Sequence, residues 1–451
     1  MRYDRPSRSA RGARGAGILL VLLLAACGGD ADANESAAPG DAASPAGRTR
    51  SAARAPGTIA YVAANGRELR LVRPDGTGDR LVWRLPDTLH DVTAPIWSPD
   101  GAEIAFASNH EMAMSVYERD LYSVAPDGSG LRRLTNPPAH AEFARLPKGT
   151  VTVTIQNLTF DGGPYFVYVM GAPEPKQQII APAGATRLTF ENVADLGEGV
   201  PQPVVVISGI LRWTDAAAAA DVQPGRTVAA APLAVTGTPI EHYGADGPFW
   251  RADGSRVGYF LGPTCLLKQV PADPPPGPAY DELLPSEVFG PVCAADWGPP
   301  PAADQLLVMD ARPYTESGET HILRVREGAR ETGTPVATFG NYVRVIDLRW
   351  LPDASGFLVA RQDALTDEDV NLYEFTFATR QLRKLTDFNG EMVRHFSVSP
   401  DGRSIVFERI GSNTLSEIAT LPSDLWIIGR DGSNPRPLVR NATYPAWNPQ
   451  P

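Results

Sequence analysis

A tryptophan followed by a tight polar turn and a short apolar run recurs along this chain, and no other feature restricts its folding so strongly. The phrase stands at Pro95–Phe106 as PIWSPDGAEIAF and at Pro248–Phe260 as PFWRADGSRVGYF, with weaker copies at Leu348–Ala360 and Phe396–Phe407. The anchors are Trp97, Trp250, Trp297, Trp350 and Trp447, with Val398 in the equivalent slot of one copy. The steps between successive anchors are 153, 47, 53, 48 and 49 residues, so four of the five share one length and the first is longer by about a hundred. A period in that range marks a chain built from stacked supersecondary units that cannot bury their apolar faces alone.

Each unit reads as four short strands. Second strands follow the turns at Ile104–Ala107, Val257–Phe260, Leu306–Met309, Phe357–Ala360 and Ile405–Phe407, and a sixth, Ile59–Val62, precedes every anchor. They are apolar on both faces, as expected of a sheet lying between two others. Third strands are expected at Leu69–Val72, Leu121–Val124, Leu266–Val270, Ile322–Val325, Leu372–Phe375 and Leu425–Ile428. Fourth strands are clearest at Arg132–Thr135, Val336–Phe339, Arg383–Thr386 and Arg436–Val439, and Asp-Gly pairs sit where tight hairpin turns need positive backbone angles. The expected fold class is therefore all-β, a six-bladed β-propeller. The first blade lacks its Trp-turn strand, and Tyr444–Pro451 is such a strand with nothing after it. Pairing between these two ends closes the ring and removes its exposed edges.

These units resemble the WD40-like repeats of TolB-type β-propellers, whose phrase is close to P-x-W-S-P-D-G-x-x-I-A-F followed by D-L-Y and L-T. The closest copies are Pro95–Phe106 with Asp120-Leu121-Tyr122 and Leu134-Thr135, and Ser399–Phe407 with Asp424-Leu425-Trp426. The resemblance covers 57–136 and 248–451 and departs from the pattern at Asp296-Trp297-Gly298-Pro299. It implies the scaffold and names no activity, because propellers host unrelated functions.

The extra hundred residues fall between the second and third blades. Lys148–Ile155, Tyr165–Met170, Thr186–Glu191, Val204–Leu211 and Thr227–Val235 read as strands, several with clean alternation. They predict an inserted small β-sandwich-like domain over 144–236, dividing the propeller into 57–143 and 237–451.

The N-terminus sets the compartment. Arg2, Arg5, Arg8, Arg11 and Arg14 precede the apolar run Gly17–Ala26, which is too short for a permanent membrane span. Leu24-Ala25-Ala26-Cys27 resembles a bacterial lipobox, which implies a signal peptide over 1–26 and acylation of Cys27. Two or three acyl chains on one Cys suffice to hold a protein on a bilayer. Residues 28–56 have almost no large apolar side chain and are expected to be a flexible tether with an r.m.s. reach of about 30 Å. Removing residues 1–26 takes five Arg and one Asp from totals of 41 basic and 52 acidic residues, which leaves 36 against 51, a balance of −15. So acidic a body argues against nucleic-acid binding and against peripheral attachment to anionic lipid. Cys265 and Cys293 are a candidate disulfide in an oxidising compartment, worth about 3–4 kcal/mol in the chain-entropy model.

Catalytic signatures are few. The sequence holds no G-x-S-x-G elbow, no H-E-x-x-H, no C-x-x-C and no phosphate-binding glycine loop, and its six histidines are scattered. No cofactor and no metal are expected, since Asp127-Gly128-Ser129-Gly130 and Asp431-Gly432-Ser433-Asn434 read as hairpin turns rather than calcium loops. The tryptophans belong to packing between blades. Contact residues are instead sought just before each Trp-turn strand, at the channel mouth: His90, Asp91, His242, Asp246, Asp296, Arg344, Asp347, Arg394, His395 and Tyr444. Their mixed charge suits a polar ligand or a partner segment. The leading expectation is a monomeric, lipid-anchored extracytoplasmic binding or scaffold protein, not an enzyme, whose partner is an envelope protein or peptide. The alternative is a glycan-binding module or a hydrolase or lyase using the central channel, with Asp296, Asp347, Arg394 and His395 as its acid/base set.

Overall fold

The computed structural model describes residues 57–450 except 64–65, 86–89, 112–116, 118, 136–145, 159–164, 173–175, 180–183, 198–201, 209–210, 215–218, 236–239, 242–243, 263–264, 275–280, 290–293, 311–316, 341, 365–366 and 413–421. The described residues are almost entirely strand, with one short helix, Ser286–Phe289. Four-stranded antiparallel sheets repeat along the chain. Sheet I joins Arg80–Arg84, Glu68–Val72, Ile59–Ala63 and Ala442–Trp447. Sheet II is Val92–Trp97, Ile104–Ser108, Asp120–Val124 and Arg132–Arg133. Sheet III is Ala245–Trp250, Arg256–Leu261, Leu266–Pro271 and Asp281–Glu282. Sheet IV is Ala295–Trp297, Gln305–Asp310, Thr320–Arg326 and Ala337–Phe339. Sheet V is Val345–Trp350, Gly356–Ala364, Asp367–Thr376 and Gln381–Lys384. Sheet VI is Met392–Val398, Ser404–Ile410, Ser423–Gly429 and Arg436–Val439, and it touches sheet V through one parallel pair, Val370 with Met392.

The strand carrying the tryptophan anchor, or Val398, is the inner strand of each sheet. Each inner strand contacts the next, from Ala442–Trp447 through Val92–Trp97 and round to Met392–Val398, which meets Ala442–Trp447 again. That cycle is a β-propeller arrangement. The expected pairing of the chain's two ends is present, with Ile59 opposite Trp447, Ala60 opposite Ala446, Val62 opposite Thr443 and Ala63 opposite Ala442.

The tryptophans knit neighbouring sheets together. Trp97 packs with Ala60, Val62 and Leu69 of sheet I, Trp250 with Ala105 and Leu121 of sheet II, and Trp297 with Phe249 of sheet III. Trp350 packs with Leu307 and Ile322 of sheet IV, and Trp447 with Val406 and Leu425 of sheet VI. Full burial of each aliphatic partner is worth roughly 1.5–3 kcal/mol, so the contacts between sheets are a major source of stability. Trp97 Nε1 donates to Ala446 O at 3.1 Å and Trp350 Nε1 to Asp296 O at 3.1 Å, so two of the rings bond the adjoining inner strand.

The turns after the anchors explain their Asp and Gly. Ser98 Oγ donates to Asp100 Oδ1 at 2.7 Å and Ser399 Oγ to Asp401 Oδ1 at 2.6 Å, while Gly101 and Gly402 take φ values of 66° and 67°. In the weaker copy Ala354 adopts φ 56° at the matching point, a conformation an L side chain accepts at some cost. Asp127 and Asp431, the turns resembling calcium loops, spend Oδ1 on the backbone N–H of Ser129 and Ser433. Those bonds, with the serine hydroxyls, hold both carboxyls below the usual carboxylate range.

Residues 148–241 form two further sheets. One runs Lys176–Ile179, Tyr165–Val169, Val204–Ser208, Leu211–Thr214 and Ile240–Glu241. The other centres on Lys148–Leu158, flanked by Gly184–Ala194 on one side and by Thr227–Ala229 and Leu233–Ala234 on the other. Val151, Val153, Ile155 and Phe190 from the second sheet share one apolar cluster with Val167, Val169, Val204 and Val206 from the first. Two expectations need correction. The run Val204–Leu211 is not one strand but part of two antiparallel ones, with Ser208 opposite Leu211. The run Thr227–Val235 is two short strands parallel to Lys148–Leu158, divided where Pro232 has no N–H for the ladder. Ile240–Glu241 pairs with Leu211–Thr214, so this sheet extends past residue 236.

Candidate functional site

Most of the inner strands are kinked at one place. The register slips by one residue between Thr93 and Ile96, Asp246 and Phe249, Val345 and Asp347, and Val393 and Phe396, and opposite Ala60–Val62 in the closing strand. An extra residue in one strand bends it and re-aims its side chains. In three copies the bulge precedes a proline, and Ala94, Gly247 and Tyr444 take φ values of 48°, 55° and 53°. A proline is tolerated there because the bulge has already broken the ladder.

Below these bulges lies a central cavity of about 750 Å³, to which all six inner strands contribute. Its wall combines the tryptophan anchors with the polar side chains of Asp246, Asp296, Asp347, Arg349, His395 and Tyr444. Three carboxylates against one guanidinium make the lumen acidic. Asp347 is 5% exposed, pairs with Arg349 Nη1 at 3.1 Å, and lies 3.6 Å from His395 Nδ1. His395 stacks on Tyr444 with ring centroids 4.4 Å apart. Asp296 accepts the Trp350 backbone N–H at 2.8 Å. Burial pushes its carboxyl up to about 6, helped by Asp347 and opposed by Arg349 and that hydrogen bond. Burial likewise pushes the Tyr444 phenol up to about 12, with Asp246 adding to the rise.

Five of the residues sought from sequence, Asp246, Asp296, Asp347, His395 and Tyr444, therefore come together on the cavity wall. Of the others, His90, Asp91, Arg344 and Arg394 do not line it. Asp91 binds Arg119 at 2.8 Å, and Arg119 donates to Thr93 Oγ1, which donates to Asp246 at 3.0 Å. Arg394 is committed to Glu408 at 2.5 Å, and the Arg344 backbone N–H donates to Gln362 Oε1 at 3.2 Å. His90 is half-buried beside Asp91, and His242 lies outside the described residues. Cys265 is disulfide-bonded, while Cys27 and Cys293 lie outside the described residues. Among the described residues no group of three or more His, Cys, Asp or Glu could hold a metal ion.

Sequence reasoning missed Glu408, Arg349 and Arg119. Glu408 is fully buried and accepts bonds from Arg394, Thr443 Oγ1 at 2.7 Å and the Tyr444 N–H at 3.3 Å. Burial alone would raise its carboxyl, but the charges of His395 and Arg394 and these hydrogen bonds outweigh it and hold the group below its ordinary value. A charged pair, Glu408-Arg409, interrupting the apolar second strand IVFERI was the available signal.

A propeller whose lumen is lined by tryptophans and carries three carboxylates is the class that fold and cavity define. No family model matches the sequence, and no curated protein does. Among solved structures, TolB from Acinetobacter baumannii is 13% identical, with 87% of this chain and 67% of that chain covered and a TM-score of 0.48. A nidogen/laminin complex is 6% identical over 87% and 99%, with a TM-score of 0.46. An oligogalacturonate lyase in complex with manganese is 12% identical over 85% and 84%, with a TM-score of 0.36. At these scores the likeness carries no statement about activity.

Proposed function

We propose that this chain is a lipid-anchored extracytoplasmic binding protein, acylated at Cys27, whose six-bladed propeller holds a segment of an envelope protein or peptide at its central cavity. The inserted sheets of residues 148–241 form a sandwich-like second domain. Cys265 pairs with Cys293, and the protein is a monomer without enzymatic activity. One observation carries the reading: every inner strand contributes to a single cavity, and its largely apolar, tryptophan-rich wall carries three carboxylates, Asp246, Asp296 and Asp347. Such a lumen suits a segment that offers hydrogen-bond donors or positive charge and a planar or aliphatic group to lie on the tryptophans.

The mature protein, immobilised and exposed to envelope extract, should retain a partner at moderate salt and lose it when Asp246→Asn and Asp347→Asn are combined. A folded double variant that retains the same partner rejects the cavity as the binding site, and no retained partner rejects the binding role. Incorporation of labelled palmitate, abolished by Cys27→Ala, tests the anchor. A second reading is favoured by Asp296, a carboxyl that titrates near 6 beside Asp347, as a general acid needs. A glycan array and a hydrolase and lyase screen, with loss of signal in Asp347→Ala and His395→Ala, would establish that reading instead.

A further inference from the structure

A second cavity, of about 510 Å³, opens on the outer wall between sheets IV and V. Its floor is apolar: Phe339, Phe375 and Val343 are nearly fully buried, and Leu382 lies beside them. Two guanidinium groups, Arg361 and Arg380, stand among these side chains. Cations in that setting are unexpected in a chain whose formal charge is −11.

Arg361 is held in place. Its guanidinium carbon sits 5.2 Å from the Phe339 ring centroid and 4.9 Å from that of Tyr373, so aromatic faces fix its plane. Its Nε donates to Gln362 O at 3.0 Å and its Nη2 to Asp363 O at 3.1 Å, which leaves Nη1 without a partner among the described residues. Arg380 lies on the hairpin between the last two strands of sheet V, where its φ is 54° and its Nη2 donates to Val336 O at 3.2 Å. The one carboxylate on the wall, Asp363, does not answer these charges. It already accepts from Tyr373 Oη at 2.6 Å, Lys384 Nζ at 2.6 Å and Asn371 Nδ2 at 3.1 Å, and it shares Lys384 with Asp387, so its oxygens are spent on these donors. The cavity is thus net positive and apolar at its base.

We propose that this cavity binds a small organic carboxylate, with the acid group between Arg361 and Arg380 and an aliphatic or aromatic body on Phe339, Phe375 and Leu382. Its volume falls in the range of ordinary ligand sites, roughly 300–1,000 Å³. Two charge-assisted hydrogen bonds, one from a strand and one from a hairpin, select an anion, and the apolar base selects against inorganic phosphate or sulfate. The site lies outside the central channel and stands whether or not the channel binds a partner.

Titration of the mature protein with phenylacetate and with its neutral analogue phenylacetamide tests the proposal by calorimetry. Phenylacetate should bind about tenfold tighter than the amide or better, which is the discrimination expected of charge-assisted contacts. Arg380→Gln, an exposed hairpin change that leaves the core intact, and Arg361→Gln should each weaken phenylacetate about tenfold and leave phenylacetamide unchanged. Thermal melts of both variants identify any loss that comes from unfolding, and Arg380→Gln keeps the test valid if Arg361→Gln misfolds. Equal binding of acid and amide, undiminished binding by folded Arg380→Gln, or full competition by equimolar phosphate would each overturn it.

Discussion

Deleting residues 442–451 removes the inner strand of sheet I and should cost the propeller most of its stability. The deletion unpairs Ile59, Ala60, Val62 and Ala63 from their partners and strips Trp447, 8% exposed, from the cluster it shares with Val406 and Leu425. Loss of a buried aromatic costs about 3–5 kcal/mol. Four further bonds disappear: Trp97 Nε1 to Ala446 O, the Trp447 N–H to Ser397 Oγ, the Asn448 N–H to Thr58 O and the Gly57 N–H to Gln450 O. At about 1 kcal/mol each they add about 4, before the ladder itself is counted. The total, about 8 kcal/mol or more, approaches the entire stability of an ordinary domain, roughly 5–15 kcal/mol. Urea unfolding followed by far-UV circular dichroism should show the midpoint reduced by half or more, and a synthetic peptide of residues 442–451 should restore part of it. An unchanged midpoint in the truncated protein would refute ring closure as the source of stability.

Glu408→Gln removes a fully buried carboxylate that is the counter-charge of the partly exposed Arg394 and should destabilise by about 1–3 kcal/mol; urea titration measures it. Because the folded state holds the Glu408 carboxyl below its unfolded value near 4.3, its contribution is present above that pH and lost as the pH falls through the lower folded value. Acid unfolding of Glu408→Gln should therefore begin from a lower plateau and be less steep. Asp296 acts in the opposite sense. Its carboxyl titrates near 6 in the folded protein and near 3.9 when unfolded, so stability declines as the pH rises from about 4 to about 6. Melting temperatures of Asp296→Asn over that interval should lack the decline, and an identical slope would contradict burial of the carboxyl. Reduction with dithiothreitol should cost about 2–4 kcal/mol through the Cys265 disulfide, with Cys265→Ser insensitive to the reductant.

Much of the architecture was written in the phrase itself. A tryptophan, an Asp-Gly turn and a doubly apolar strand leave little choice but stacked sheets, and the pairing of Ile59–Ala63 with Ala442–Trp447 followed from what each end lacked. Single-residue backbone events were harder to read. Nothing in alternation alone divides Val204–Ser208 from Leu211–Thr214, and only Pro232 hinted at the gap between Thr227–Ala229 and Leu233–Ala234. The cavity was legible where the bulge left a mark, as in Asp246-Gly247-Pro248 and Thr443-Tyr444-Pro445. It was illegible where the deciding neighbour sits on another strand. Arg394 was a fair candidate by position, yet Glu408, fourteen residues on, claims it. Arg361 and Arg380 gave no signal, because their meaning depends on Phe339 of the adjoining sheet.

The inner strand of the first sheet comes from residues far along the chain from the three strands it joins. Until Ala442–Trp447 docks, Ile59–Ala63 presents an unpaired edge, and the tryptophan slot between sheets VI and I stands empty. Sealing the ring therefore closes the longest loop in the propeller, while the other sheets form from neighbouring segments. An unsealed ring would offer that open edge to a strand of another molecule, which makes the joining strand a guard against association as well as a clasp.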